Sequence, residues 1–217
     1  MDVFVPGCTA CSRLSLFLDD VRVKYPDYFA APVPAFGDPQ ARLLIVGLAP
    51  GMHGANRTGR PFTGDYAGVL LYETLHAFDF ASASESVSAD DGLRLIDCRI
   101  TNAVKCLPPQ NKPITDEIKR CNAFLANEIA GLPDNAVILA LGTIAHNAVL
   151  RAMGEKLSAH KFGHGNRHTL GRLLLIDSYH CSRYNTQTRR LTPDMFRAVF
   201  AEVKAIILES SVDRSLP

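Results

Sequence analysis

The sequence predicts an α/β fold, a three-layer sandwich in which helices flank a central four-stranded parallel sheet. Short apolar segments of strand length recur along the chain, and each is followed by a segment with helical spacing of its apolar residues. Strands that are apolar throughout are typical of a parallel sheet covered on both faces. The 217 residues, 47% of them hydrophobic, suit one domain, with residues 1–41 as an N-terminal arm.

The elements follow in a regular order. A short helix over 12–24 and a proline-rich connector come first, then an apolar strand at 42–47 that stops at glycine. A glycine-rich loop at 48–64 leads to a helix that begins after Asp65, whose side chain can cap it. The same alternation continues with a surface loop at 82–92, a strand within 95–104, a helix from Thr115, a strand at 137–142, a helix at 143–153, a strand at 172–177 and a helix from Pro193 to about Leu208.

Composition excludes several classes of protein. The apolar fraction is too high for a disordered chain, and no run of eighteen apolar residues could cross a membrane. The first eight residues lack the basic and apolar regions of a secretory signal, so we expect a cytosolic protein. The net charge of +1 requires that any contacts with phosphate form local patches.

The cysteines indicate a metal or cluster site. Cys8 and Cys11 form a C-x2-C pair, and Cys106 and Cys121 lie farther along the chain. Structural disulfides are rare in the cytosol, whereas four thiolates suit zinc or an iron–sulfur cluster. A thioredoxin-like redox pair at Cys8 and Cys11 is an alternative, although such a pair should open a helix after a strand. Ordinary thiols are the third interpretation.

Polar side chains stand where the predicted strands end, which is where open α/β sheets bind ligands. The loop at 48–64 is neither a P-loop nor a dinucleotide fingerprint, but it is too long for a simple connector. Asp65 is either a helix cap or a functional carboxylate. Asn102 either forms a turn or reads the edge of a nucleobase, and His180 is either structural or a donor to a developing oxyanion.

Together these loops resemble those of the B-type, or fifth-family, uracil-DNA glycosylases. The C-x2-C pair and the downstream Cys121 fit the same family, so the resemblance spans about residues 8–200. The motifs that carry it are GLAPG at 47–51, GRPFTGD at 59–65, NAVKC at 102–106, SYHCS at 178–182 and NTQT at 185–188 followed by Leu191-Thr192. The sequence departs from the family pattern at Cys181, where proline is usual, and at Arg189, where glycine is common.

The resemblance implies a uracil-DNA glycosylase fold and a hydrolase that excises uracil, and other deaminated bases such as hypoxanthine, to start base excision repair. Asp65 would position the attacking water and His180 would donate to the departing base. Asn102 would read the base edge and Phe62 would stack on the base. The other residues assigned to substrate are Ala49 and Gly51 in the pocket wall, with Ala67 and Gly68 leaving room for wider bases.

The resemblance also implies partners and a cofactor. Cys8, Cys11, Cys106 and Cys121 would hold a [4Fe–4S] cluster, with zinc as the alternative. The expected partner is DNA containing deaminated bases, bound by a monomer in a prokaryotic cytoplasm, with no membrane. The DNA contacts would come from Arg57, Arg60, Arg183 and Asn185. The alternatives are a nucleotide or nucleoside hydrolase and a non-catalytic, metal-dependent DNA-binding module.

Overall fold

The computed structural model describes residues 4–212, and they form a six-stranded mixed sheet with helices on both faces. The first three of the eight residues considered as a signal segment lie outside this range. The spatial order of the strands is β1-β3-β2-β4-β6-β5. The strands are β1 (Phe36–Gly37), β2 (Leu43–Gly47), β3 (Cys98–Asn102), β4 (Val137–Leu141), β5 (Arg167–Leu170) and β6 (Leu173–Ser178).

The four parallel strands that the sequence predicts are present as β3, β2, β4 and β6. The structure adds two short antiparallel edge strands, β1 beside β3 and β5 beside β6. Every residue of β2 is buried, as expected for a central parallel strand. The register pairs Gly47 with Asn102 and Leu141 with Ser178, so the carboxyl ends of the strands meet along one edge of the sheet.

The helices form the two outer layers. Those longer than one or two turns are α1 (Ser12–Lys24), α3 (Tyr66–Ala77), α4 (Thr115–Ala130), α5 (Thr143–Ala152) and α7 (Pro193–Val212), while α2 (Ala55–Thr58) and α6 (Arg183–Gln187) are short. Helices α1, α4 and α5 pack on one face of the sheet, where Leu44 and Val46 of β2 point. Helices α3 and α7 pack on the other face, against Leu43 and Ile45. Alternate residues of one strand therefore serve two separate apolar layers.

The N-terminal arm is fastened to the body of the protein by a charged contact. Arg13 of α1 donates through Nε to the Glu117 carboxylate of α4 at 2.7 Å. The same carboxylate accepts from the backbone N–H of Ile114 at 2.9 Å, which satisfies one of the free donors at the start of α4. This contact explains why α4 begins at Thr115 although its start signal in the sequence is weak.

Within residues 4–212, no helix combines the length and the apolar composition needed to cross a bilayer.

Candidate active site

A cavity of about 500 Å³ opens at the edge of the sheet where the parallel strands end. Residues from every strand-end loop line it, as the α/β fold predicts. Eight of the residues that the sequence assigns to catalysis, substrate or DNA reach this cavity. They are Ala49, Gly51, Phe62, Asp65, Ala67, Asn102, His180 and Arg183.

Asp65 serves as a helix cap and also faces the cavity. Its Oδ1 accepts from the backbone N–H of Gly68 at 3.1 Å and so caps α3. Its Oδ2 lies against the backbone of Gly51, where a Cβ would be only 3.3 Å away. Burial raises the pKa of Asp65, and hydrogen bonds from the N–H groups of Gly68 and Ala67 partly oppose that shift. One oxygen is thus committed to the helix while the other can act on a ligand.

His180 lines the same cavity as a neutral imidazole. Burial lowers the pKa of His180 to about 4, because the charged ring would be poorly solvated there. Its Nδ1 is buried and has no hydrogen-bond partner in the described part of the chain. The carbonyl of His180 accepts from Nδ2 of Asn185 at 2.8 Å, which fixes the backbone that carries the ring.

Phe62 holds an unusual backbone conformation beside that imidazole. Its ring lies nearly parallel to the His180 ring, with centroids 5.8 Å apart. Its φ of 55° is in the left-handed region, which costs a bulky residue about 1–3 kcal/mol. The Phe62 carbonyl occupies the space next to Gly68, where an added Cβ would lie 1.8 Å from the oxygen.

Asn102 ends β3 and lies buried beside Gly47. Among residues 4–212 its side-chain amide has no hydrogen-bond partner, so both its donor and its acceptor are available to a ligand in the cavity. A Cβ at Gly47 would lie 2.4 Å from Oδ1 of Asn102 and 2.6 Å from the Phe62 ring. Glycine at position 47 therefore lets the Phe62 ring and the Asn102 amide approach each other.

A second cavity, behind the sheet edge, is lined by the four cysteines that the sequence groups together, Cys8, Cys11, Cys106 and Cys121. All are free thiols. Burial raises the pKa of Cys106 to about 12, and the nearby thiols of the other three contribute. Thiols crowded so closely favour a cation that can neutralise their charge. Within the described residues no strand precedes Cys8, contrary to the thioredoxin-like interpretation.

The residues around these thiols fit an iron–sulfur or zinc site. The backbone N–H of Lys105 donates to Sγ of Cys121 at 3.3 Å, the kind of hydrogen bond that supports metal-bound sulfur. The two remaining cysteines, Cys98 and Cys181, are buried outside this cavity. The segment that carries Cys106 also borders the first cavity, because the N–H groups of Ala103 and Val104 donate to the carbonyls of Gly47 and Leu48.

Comparison with known proteins assigns the family. Residues 34–204 match the family model described as the uracil DNA glycosylase superfamily. The chain belongs to this superfamily. A type-5 uracil-DNA glycosylase of Thermus thermophilus is 47% identical over 206 residues, which covers 92% of this chain and 94% of that protein.

Two further type-5 enzymes of the superfamily support the same group. The Pyrobaculum aerophilum protein is 38% identical over 203 residues, covering 92% of this chain and 88% of the relative. The Mycobacterium bovis protein is 40% identical over 215 residues, covering 95% and 80% respectively. The chain is thus a member of the type-5 group of the superfamily, as its strand-end motifs predict.

The structure corrects the assignment of Arg60. The Arg60 side chain is only 5% exposed, and Nη1 donates to the Asp91 carboxylate at 2.7 Å. Its guanidinium also lies 4.4 Å from the centre of the Phe36 ring. With its donors bonded to the loop at 82–92, Arg60 stabilises that loop and is not exposed for contact with DNA. Two other arginines assigned to DNA, Arg57 and Arg183, are exposed.

Two other assignments change in this member of the superfamily. Gly68 does not line the cavity, so its small size accommodates the Phe62 backbone rather than a wide base. Asn185 is half-buried, and its amide holds the carbonyl of His180 instead of facing outward.

Sequence reasoning missed Asn111, which lines the cavity. Gln110 and Asn111 both have positive φ values, of 58° and 57°. Asparagine tolerates this conformation better than most residues, and the preceding Pro108-Pro109 pair was the available signal of a tight turn. The turn brings an exposed amide to the rim of the cavity.

Proposed function

We propose that this protein hydrolyses the N-glycosidic bond of uracil in DNA, and of other deaminated bases such as hypoxanthine, and so starts base excision repair. One observation carries the proposal. Asp65, Asn102 and His180 come from three separate strand-end loops, and all three line one cavity in a chain of the type-5 group. A carboxylate, a two-sided amide and a neutral imidazole are the groups that this reaction needs.

The target base must leave the duplex before its glycosidic bond can be reached. Phe62 would stack on the extruded base, an interaction worth about 1–3 kcal/mol. The amide of Asn102 would accept from the ring N–H of uracil and donate to the adjacent carbonyl. Hypoxanthine carries the same neighbouring pair, an N–H beside a carbonyl, which supports its place in the substrate range.

Cleavage separates charge, since the sugar becomes cationic and the base anionic. His180 would donate a hydrogen bond to the base oxygen as negative charge grows there, and a preorganised donor of this kind contributes roughly 3–4 kcal/mol. Its low pKa supports this role, because a neutral ring keeps one N–H and adds no charge. The Asp65 carboxylate would orient the attacking water and stabilise the cationic sugar.

We infer that Cys8, Cys11, Cys106 and Cys121 hold a [4Fe–4S] cluster. A zinc ion bound by the same four thiolates is the alternative. When bound, the cluster supplies a structural crosslink between the N-terminal arm and α4. The supporting observations are the four free thiols around one cavity and the N–H of Lys105 aimed at Cys121.

DNA would approach the rim where Arg183 and Arg57 are exposed. The Arg183 guanidinium lies 5.9 Å from the centre of the Tyr66 ring, so a cation and an aromatic face flank the mouth of the cavity. We place this monomeric activity in the cytoplasm of a prokaryotic cell, which the prokaryotic origin of the relatives supports.

Single-turnover release of uracil from a duplex oligonucleotide tests the roles of Asp65 and His180. Asp65→Asn keeps a side-chain oxygen that can cap α3 but removes the charge, whereas Asp65→Ala removes both. We expect both Asp65 variants and His180→Ala to lose more than about 100-fold in rate, as removal of an oxyanion donor does elsewhere. His76→Gln, which changes an exposed histidine far from the cavity, is the control.

Three results would reject the proposal. Wild-type rates in Asp65→Asn and His180→Ala would show that these groups do not act on the bond. Hydrolysis of free deoxyuridine without release of uracil from DNA would identify a nucleoside hydrolase instead. DNA binding with no abasic product in any oligonucleotide would identify a non-catalytic binding module.

A further inference from the structure

A buried histidine behind the cavity makes two hydrogen bonds that together fix its protonation. Nδ1 of His146, on α5, lies 2.7 Å from Oδ1 of Asp177, on β6. Nε2 of the same ring lies 3.0 Å from the carbonyl oxygen of His160. The side chains of His146 and Asp177 are 1% and 0% exposed, so water does not provide alternative partners.

A carbonyl oxygen can only accept, so Nε2 of His146 must carry a hydrogen to bond to His160. A carboxylate oxygen also only accepts, so Nδ1 must carry a second hydrogen to bond to Asp177. A ring with both hydrogens is an imidazolium, and its positive charge is balanced by the Asp177 carboxylate. With Asp177 ionised, neither neutral tautomer satisfies both contacts, because each would set a nitrogen lone pair against an oxygen lone pair. The competing arrangement, a neutral ring that accepts at Nδ1 from a protonated Asp177, is the one that the protonation measurement below distinguishes.

The surrounding groups complete the pair. Oδ2 of Asp177 accepts from Nε2 of His168, on β5, at 3.2 Å and from the backbone N–H of Gly163 at 3.2 Å. The centres of the His160 and His168 rings are 5.4 Å apart. Nε2 of His160 is 3.6 Å from the Glu155 carboxylate. The ring of Phe162 packs edge-on against that of His146, and Nδ1 of His164 accepts from the N–H of Tyr179, just after the end of β6.

The ion pair joins the two elements that form one side of the cavity. Asp177 precedes His180 by three residues on the same strand end. His146 lies in the first turns of α5, whose start at Gly142 and Thr143 lines the cavity. The N–H of Gly142 donates to the carbonyl of Ser178 at 2.8 Å, and the His146–Asp177 contact is a second link beneath it.

We propose that His146 is a positioning residue that is protonated at working pH and, through Asp177, holds His180 and the start of α5 in place for catalysis. This inference rests on the proposed function, since it assigns the pair a part in the same reaction. His146 does not touch the substrate and acts only through the strand end.

Because of the His146–Asp177 pair, the reaction rate should fall as the pH becomes alkaline. Burial by itself lowers the pKa of His146, but its hydrogen bond to Asp177 and the charge of Asp177 outweigh burial, and the net pKa is raised above the ordinary 6.5. The stabilisation is therefore fully present below pH 6.5 and is lost as the pH rises through the raised pKa. Above that pKa, Nδ1 of His146 has lost its hydrogen, and its lone pair faces the Asp177 carboxylate. His180, with a pKa of about 4, does not titrate in this range.

Nitrogen-15 NMR of the histidine side chains, on the full-length iron-loaded protein, tests the protonation directly and needs no variant of uncertain folding. We expect both ring nitrogens of His146 to carry hydrogen at neutral pH, with His146→Gln used only to assign the resonance. A neutral tautomer at neutral pH would overturn the proposal. So would a metal ion, bound apart from the iron, that His146→Gln releases.

Kinetics tests the positioning role separately. We expect His146→Gln to lower the maximal single-turnover rate by up to about 100-fold while the DNA concentration at half-saturation stays unchanged. The alkaline decline of the rate should also disappear, whereas His76→Gln should keep both the rate and the decline. Near-ultraviolet circular dichroism and iron content confirm folding of each variant. An unchanged alkaline decline in a folded His146→Gln would overturn the positioning role.

The two proposals fail in different ways. If wild-type protein releases no uracil, the proposed function is wrong, and the NMR result still decides the protonation of His146. If uracil is released but His146 is neutral, only the positioning role is wrong.

Discussion

At the scale of single residues, the cavity carries two titratable groups whose pKa values are shifted by burial in opposite directions. Burial raises the pKa of Asp65 and lowers that of His180 to about 4. Desolvation opposes charge in both cases, so it acts upward on an acid and downward on a base. In the proposed reaction Asp65 must be ionised to stabilise a cationic sugar, so its protonation should set the lower limit of the working pH range.

We predict that the rate of uracil release falls on the acid side as the pH drops through the raised pKa of Asp65. The carboxylate becomes neutral there, while His180 stays neutral down to about pH 4. Single-turnover rates measured from neutral to acid pH check this. Asp65→Asn should be slow and flat over the acid range. An acid decline that survives in Asp65→Asn would assign it to another group.

Variants of Gly68 and its neighbour Ala67 distinguish an effect on packing around Phe62 from an effect on the range of bases that the cavity accepts. Ala67→Val adds bulk to the cavity, whereas Gly68→Ala would push against the Phe62 carbonyl, which lies 1.8 Å from the new Cβ. We expect Gly68→Ala to slow release of uracil and hypoxanthine alike, because Phe62 shifts for both. Ala67→Val should slow the wider hypoxanthine more than uracil.

Single-turnover assays with the two lesions in otherwise identical duplexes measure this contrast. Loss of hypoxanthine release alone in Gly68→Ala would restore the sequence-based interpretation, in which Gly68 makes room for wide bases.

At the scale of elements, the pattern of apolar residues in the sequence predicts those strands and helices that are stabilised by burial of apolar side chains. The four parallel strands follow from apolar runs such as 137–142, of which Val137–Leu141 are all buried, and the long helices follow from helical spacing of their apolar residues. The short elements β1, β5, α2 and α6 carry no such pattern. They form because neighbouring parts of the chain offer hydrogen bonds, as β3 does for Phe36–Gly37. Local sequence does not contain that information.

The site residues divide in the same way into those that the sequence predicts and those that depend on distant partners. Asp65, Asn102 and His180 were predictable because strand ends converge in any parallel sheet, and the family motifs mark them. Arg60 was misassigned because its partner, Asp91, lies on a loop 31 residues away. Burial alone raises the pKa of Asp91, but Arg60 and backbone N–H groups lower it to about 2, which shows how fully the charge is paired.

Arg60 and Arg183 were both assigned to DNA from the sequence, but Arg60 is buried and Arg183 is exposed, so variants of the two can be compared directly. We predict that Arg60→Gln lowers the free energy of unfolding by about 3 kcal/mol, because it leaves the Asp91 carboxylate unpaired in a mostly buried position. The slope of log K against log salt for DNA binding should not change. Arg183→Gln should reduce that slope by about one and leave stability unchanged.

Denaturant melts and fluorescence-anisotropy titrations over a range of salt concentrations measure both quantities. A reduced salt slope in Arg60→Gln would show that Arg60 reaches DNA after all. A slope unchanged in Arg183→Gln would remove Arg183 from the interface.

At the scale of the whole molecule, the cysteine cavity and the substrate cavity share one segment. Asn102 faces the substrate cavity and Cys106 faces the thiols, with only three residues between them. Those residues are tied on both sides, since Val104 donates to the Leu48 carbonyl and Lys105 accepts from the N–H of Val33. Loosening of the thiol end should therefore reach Asn102 through the backbone.

We predict that removal of the proposed cluster lowers thermal stability and slows uracil release even though, within residues 4–212, no thiol lines the first cavity. Four clustered thiols, two of them buried, lose their common partner without a cation, and the N-terminal arm keeps only contacts such as Arg13 with Glu117. Hydrogen exchange of the full chain, before and after chelation, should show faster exchange at Val104 and Lys105 and in the strand end around Gly47. The helices α3 and α7, on the other face of the sheet, should be unaffected and serve as the internal control.

Iron analysis and the visible spectrum identify the metal in the same samples. A brown protein with four irons per chain is expected for the proposed cluster, and a colourless protein with one zinc would replace the cluster by the alternative ion. Cys98→Ser, which alters a buried thiol outside the cavity, should retain the metal, whereas Cys106→Ser should lose it. If the stripped protein keeps full activity and unchanged exchange at Val104, then the segment does not couple the two cavities, and Asn102 is held by β3 alone.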